Sequence, residues 1–172
     1  MKLSFTIKLC IFILIVLLVP CLFFFFSGAR PLLETKTVIK GFSIALHGFT
    51  QEYQRSPRQL DYVGSETHPQ KSEGSFVASL MALDQMDNPR AIRFMDFQPA
   101  KRGQPGIAHM NSVPTIVDAW GNPLYILTAH KKSTKIPWPG RPSEHIQDKY
   151  GIYSAGPDGD PNTWHDNVTS WD

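Results

Sequence analysis

The chain has 172 residues, a formal net charge of +2 from 17 basic and 15 acidic side chains, and two cysteines. That length makes one domain with at most an appendage, and the mixed charges leave no basic footprint for nucleic acid. Both cysteines, Cys10 and Cys21, sit in an apolar N-terminal run, so the rest has neither a disulfide nor a thiolate metal site, and 14 prolines with 12 glycines predict a loop-rich body.

The first element in chain order is the apolar run 9–26, about 18 residues and close to the least that spans a bilayer as a helix. Lys2, Lys8 and the chain amine precede it, which predicts a cytoplasmic N-terminus and an exported remainder. Pro20 is tolerable in a membrane helix, and the phenylalanines at 23–26 close the run at the far interface. Ser27-Gly28-Ala29 also fits a small-x-small cleavage site, so an uncleaved anchor and a cleaved secretory signal both stand. The apolar core is longer than the ~7–15 residues of a signal peptide. The expected organisation is an anchor over 1–29 and a body over 30–172.

After Pro31 the period changes. Val38, Ile39, Phe42, Ala45, Leu46, Phe49 and Tyr53 recur every three or four residues, the stripe of an amphipathic helix. Lys36, Lys40, Ser43, His47 and Gln51 fall largely off it. Gly41 and Gly48 each weaken the helix by about 1 kcal/mol relative to Ala, so packing has to hold it. Pro31 predicts a bend and Pro57 the end; His47 reads as a solvated residue rather than a ligand.

Residues 58–71 are polar without a period and read as a loop. The pattern at 72–86 predicts a helix capped by Ser72, with Phe76, Val77, Leu80, Met81 and Leu83 inward. Asn88-Pro89 stops it. Residues 91–97 alternate as a short strand or extended run with Ile92, Phe94 and Met95 inward, and 98–111 read as a loop with Lys101-Arg102-Gly103 at its tip. Residues 113–118 and 124–129 predict two strands joined as a hairpin through Trp120-Gly121-Asn122-Pro123. Asp118 is expected to accept hydrogen bonds from the turn amides; a catalytic or metal carboxylate is the competing reading. Residues 131–148 break the sheet. Their Ile136-Pro137-Trp138-Pro139-Gly140 is expected to be irregular, as a partner-binding loop or a tolerated insertion.

Residues 150–154 predict a strand with Tyr150, Ile152 and Ser154 on one face and Gly151 and Tyr153 on the other. Gly156-Pro157-Asp158-Gly159 is a turn. Beyond it come Asp160, Asp166 and Asp172. Carboxylates in a Gly/Pro/Asn-rich loop suit a hard cation, calcium above all. A solvated acidic turn is the alternative, since the spacing is not that of an EF-hand.

Three pieces in order carry a family resemblance: Asp118-x-Trp120-Gly121-Asn122-Pro123-Leu124-Tyr125, then Tyr153-Ser154-x-Gly156-Pro157-Asp158-Gly159, then Asp166-Asn167-Val168-x-Ser170-Trp171. Together they resemble the C-terminal half of type II secretion pseudopilins of the major, G type. The stretch from Asn88 to Asp96 is similar to a segment of divergent pseudopilin-like proteins. Ser4-Phe5-Thr6-Ile7 resembles the start of the prepilin processing motif, with Ser4 where Gly is usual and Leu9 where the family carries Glu. It adds a third reading of the N-terminus, a leader over 1–4.

The resemblance implies an α+β, pilin-like fold: an N-terminal transmembrane helix continuing into an amphipathic helix packed on a small antiparallel sheet, with a C-terminal metal-binding loop. It implies a structural calcium site with side-chain oxygens from Asp158 and Asp166, backbone carbonyls from Ala155 and from near Trp164, and Asp160 as a further or water-mediated ligand. It further implies a non-catalytic subunit in the bacterial inner membrane, single-pass, with a periplasmic domain, assembling with itself and other pseudopilins. The alternative is a stand-alone envelope-anchored calcium-binding or adhesion-type domain. No small-molecule substrate is expected: His-Glu-x-x-His, Gly-x-Ser-x-Gly and phosphate-binding Gly-rich loops are absent from the sequence, and His165 beside Asp166 has no nucleophile in its sequence neighbourhood.

Overall fold

The stripe at 38–53 becomes the inner face of one helix, α1, which runs over Phe5–Tyr53. A computed structural model describes residues 5–63, 69–129 and 135–171, the side chains of 5–28 and 61–63 excepted. Ile39, Phe42, Leu46 and Phe49 are at most 1% exposed, and full burial of such a side chain contributes about 1.5–3 kcal/mol. That offsets the weakness of Gly41 and Gly48. Both glycines also make room: a Cβ at Gly41 would lie 3.0 Å from the Phe97 ring, and one at Gly48 would lie 3.3 Å from the Phe94 ring. No break in α1 occurs at Pro31. The helix stops at Tyr53, with Gln54 at φ 53°, before Pro57 is reached.

Two expectations about the N-terminal segment are corrected. Among the described residues no helix is long and apolar enough to cross a membrane, which overturns the transmembrane helix of the expected fold class. The physical reason lies in the described part of α1, where the exposed Arg30, Lys36 and Lys40 break up the apolar face. The single-pass inner-membrane placement, with a cytoplasmic N-terminus and a periplasmic domain, is overturned by the same finding. The leader 1–4 and the side chains of the run 9–26 lie outside the described residues.

The remaining elements are α2 (Arg58–Val63), β1 (Gln70–Lys71), α3 (Ser75–Leu80), β2 (Gly106–Met110), β3 (Val113–Val117), β4 (Leu124–Thr128), β5 (Ile136–Trp138), β6 (Arg141–Ile146), β7 (Tyr150–Ser154) and β8 (Val168–Thr169). The central sheet has the order β1-β4-β7-β8, all antiparallel. β4 and β7 pair over their full length, Leu124 opposite Ser154 and Thr128 opposite Tyr150. Leu124, Ile126, Tyr150 and Ile152 pack with α1 in the main core. Leu127 and Tyr153 join a second cluster with Ile136, Trp138 and Ile146. A sheet covered on both faces explains why all five residues of β7 are buried.

The expected hairpin between 113–118 and 124–129 does not form. β3 pairs with β2, a strand inside the expected loop 98–111, and its end meets the residue before β4 in an isolated bridge between Val117 and Pro123. Ser72 wedges between them: its N–H donates to the Leu124 carbonyl, while its own carbonyl and hydroxyl engage the Ile116 N–H and carbonyl. Ser72 is therefore a sheet residue and not a cap. α3 is shorter than expected, and its first turn is satisfied from α2, where Gln59 Oε1 accepts from the Phe76 N–H and the Ser75 hydroxyl. Residues 91–97 form no strand. Phe94 and Met95 donate their N–H groups to the Leu80 carbonyl, and buried Asn88 ties the segment to Tyr53, Ser79 and Ile92. Residues 131–148, expected to be irregular, contain the β5–β6 hairpin.

Candidate functional site

β7 ends at Ser154 and delivers the chain into the irregular loop 155–167, which returns as β8 beside it. The two ends of the loop are held together at Gly156. Its φ is +69°, and a Cβ there would lie 2.5 Å from the Asp166 carbonyl oxygen, so only glycine lets the backbones approach this closely. Asp118 supplies the other clamp. Its carboxylate, 1% exposed, accepts the N–H groups of Trp120 and Asn122 at 2.9 and 2.8 Å and the Ser154 hydroxyl at 2.5 Å. Ser154 Oγ then accepts the Gly156 N–H, and Asn122 Nδ2 donates to the Gly156 carbonyl. The Ala119 N–H donates to buried Thr35 on α1. Thus Asp118 is the turn-capping residue expected from the sequence, and the first two motif pieces meet around it.

Burial pushes the Asp118 carboxyl above the ordinary Asp value; its hydrogen bonds from Ser154, Asn122 and Trp120 pull the other way without cancelling it. No cation pairs with it among the described residues.

The expected ligands are placed as follows. Ala155 is fully buried at the root of the loop. Asp158 is exposed on the turn; its Oδ1 accepts the Asp160 N–H and its Oδ2 accepts the Thr163 hydroxyl. The Thr163 hydroxyl, then the Asp160 N–H, hold its carboxyl below the ordinary value, and nearby His165 adds to this. Asp160 is exposed and accepts from Asn162. Trp164 lies half-buried against Tyr153, ring centroids 5.0 Å apart. Asp166 differs from the other two carboxylates. Its side chain is 18% exposed, and its Oδ1 is buried with no hydrogen-bond partner. Neighbouring Asn167 Oδ1 is in the same state.

His165 Nδ1 is 3.8 Å from Asp166 Oδ1, and the histidine also lies within electrostatic reach of Asp158. It therefore sits where a positive charge is attracted by both carboxylates. A cavity of about 400 Å³ opens beside Asp166, and its lining includes Leu32, Lys36, Trp120, Pro157 and His165. No group of three or more His, Cys, Asp or Glu side chains poised for a metal occurs among the described residues. Any ion here has to draw much of its shell from carbonyls and water. Asn122, Thr163 and Asn167 were not singled out as site residues from the sequence; an Asn or Thr near an Asp-rich turn is the signal that finds them, since both bond backbone and carboxylates locally. His47 is not merely solvated. It bonds to the Ser43 carbonyl and to Asp148, both at 2.8 Å, and joins α1 to the β6–β7 turn.

No protein-family model matches the chain, and neither does any curated protein or solved structure.

Proposed function

We propose that this chain is a structural, non-catalytic subunit of the pseudopilin kind, working in a type II secretion-like machine and assembling through α1 with itself and with other pseudopilins, and that calcium holds its C-terminal loop. The observation that carries the calcium reading is Asp166 Oδ1, buried without a hydrogen-bond donor and faced by the exposed His165 ring at 3.8 Å. A buried carboxylate oxygen without a donor is expensive, and a divalent cation in contact with it offsets that cost. Asp166 and Asp158 supply the charge, the carbonyls of Ala155 and Trp164 complete the shell, and Asp160 binds directly or through water. When bound, the ion supplies charge neutralisation and cross-links a loop that has no disulfide. Since it binds the folded loop and not the unfolded chain, it stabilises the fold by mass action. The subunit reading is supported by the order of the three motif pieces and by the 49-residue length of α1, whose stretch from Val38 to Phe49 packs on the body.

Limited proteolysis of the full chain in excess calcium and in chelator tests the loop. Cleavage after Gly151 is expected to be slower with calcium, and Asp166→Ala is expected to abolish the difference. Identical cleavage in both buffers refutes the calcium reading. Leu9, standing where the family has Glu, favours a second reading as a stand-alone calcium-binding or adhesion-type domain. Sedimentation of the full chain separates the two, since a subunit self-associates and a stand-alone domain stays monomeric.

A further inference from the structure

The β5–β6 hairpin is held in an unusual way. Among the described residues its strands pair only with each other, and an isolated two-stranded hairpin is marginal in water. Its fixed position therefore comes from side chains. Ile136, Trp138 and Ile146 are buried in the second cluster against Leu127 and Tyr153 of the central sheet. The outer cover comes from the C-terminal segment. A Cβ at Gly140, in the hairpin turn, would lie 2.6 Å from Trp164 Cγ, so the indole rests directly on that turn. Trp171 meets Trp138 edge-on at 6.0 Å. At Gly151 of β7 a Cβ would lie 2.8 Å from Ile146 Cδ1 and 3.1 Å from Trp171 Cζ3, so both side chains share one notch in the sheet.

Trp164 belongs to the irregular loop between Asp158 and Asp166, and its ring also meets Tyr153, centroids 5.0 Å apart. Whatever orders that loop also places the indole on Gly140. We propose that the β5–β6 hairpin is a calcium-responsive module: occupancy of the C-terminal loop docks it on the sheet through Trp164, and loss of the ion releases it. The hairpin presents Arg141, Pro142, Ser143, Glu144 and His145 to solvent, so the ion would govern how a polar strand is displayed. This inference rests on the calcium reading of the same loop.

Hydrogen exchange on the full chain, followed by mass spectrometry of peptides covering 136–146 and 156–170, separates the two ideas. With calcium at a hundred times its Kd, both peptides are expected to exchange up to about a hundredfold more slowly than in chelator. Gly140→Ala puts a methyl 2.6 Å from Trp164 Cγ and touches no ligand residue; in it, the 156–170 peptide should still respond to calcium while the hairpin peptide should not. If calcium protects 156–170 in the native chain and leaves 136–146 unchanged, the coupling is refuted and the calcium site stands. A hairpin response that survives Gly140→Ala also refutes it. If neither peptide responds, the calcium site and the coupling fall together.

Discussion

Replacing Asp118 by alanine is expected to destabilise the fold by about 3–4 kcal/mol, because truncation orphans donors that cost about 1–3 kcal/mol each when buried and unpaired. The three donors are the N–H groups of Trp120 and Asn122 and the Ser154 hydroxyl. Their sum is reduced because alanine also removes a buried carboxylate that nothing neutralises. Asparagine separates the two effects. Its oxygen still accepts from Trp120 and Asn122, and its amide can donate to Ser154, so Asp118→Asn is expected to stay within about 1 kcal/mol of the native chain at neutral pH.

The pH dependence has a definite sign. Burial raises the Asp118 carboxyl in the folded chain, so the folded state holds this proton more tightly than the unfolded state. The stability this contributes is complete below the unfolded Asp value, about 3.9, and is lost as pH rises through the folded value. The native chain should therefore gain on Asp118→Asn between about pH 7 and about pH 4. Urea unfolding followed by tryptophan fluorescence, with midpoint and slope fitted at both pH values, measures this. An alanine cost below about 1 kcal/mol would refute the network. A native-minus-asparagine difference that falls on acidification would refute the burial argument.

Two further substitutions test the packing around the loop and behind α1. Gly156→Ala puts a side chain at φ +69° and 2.5 Å from the Asp166 carbonyl; it should cost about 2–3 kcal/mol and lower the urea midpoint, and an unchanged midpoint would mean that the loop ends are not held together here. Asn88→Ala removes acceptors for Tyr53 and Ile92 and donors to the Ser79 and Ile92 carbonyls, a loss of about 3 kcal/mol. Asn88→Asp should not restore the melting temperature, because a carboxylate cannot donate to those two carbonyls, and full restoration would contradict the assigned bonds.

Local signals were readable where a residue's role is set by its near neighbours in the chain. The stripe on α1, the two faces of β7 and the turn-capping role of Asp118 all follow from spacings of four residues or fewer. The hairpin expected between β3 and β4 fails for the same reason. Its turn chemistry around Trp120 and Pro123 is sound, but Ser72, far upstream, occupies the hydrogen-bonding positions that β3 would offer to β4. The helix expected at 72–86 starts at Ser75 because Ser72 bonds into the sheet and Gln59 satisfies the first turn, and it ends at Leu80, just before Ala82 takes φ 62°. Pro137, Pro139 and Pro142 argued against structure in 131–148, yet proline is tolerated in short edge strands, and the second face of the sheet needed a cover.

By itself, the sequence determined which residues face inward along α1 and β7, where the acidic turn falls, and which carboxylates lie in it, since each depends on local period or turn chemistry. Only the tertiary structure decided that Ser72 bonds between β3 and β4, that Asp166 is sheltered while Asp158 and Asp160 face water, and that Trp164 rests on Gly140. Those outcomes depend on contacts between residues distant in the chain, where competing partners satisfy the same hydrogen bonds and the same apolar surface, and burial in three dimensions selects among them.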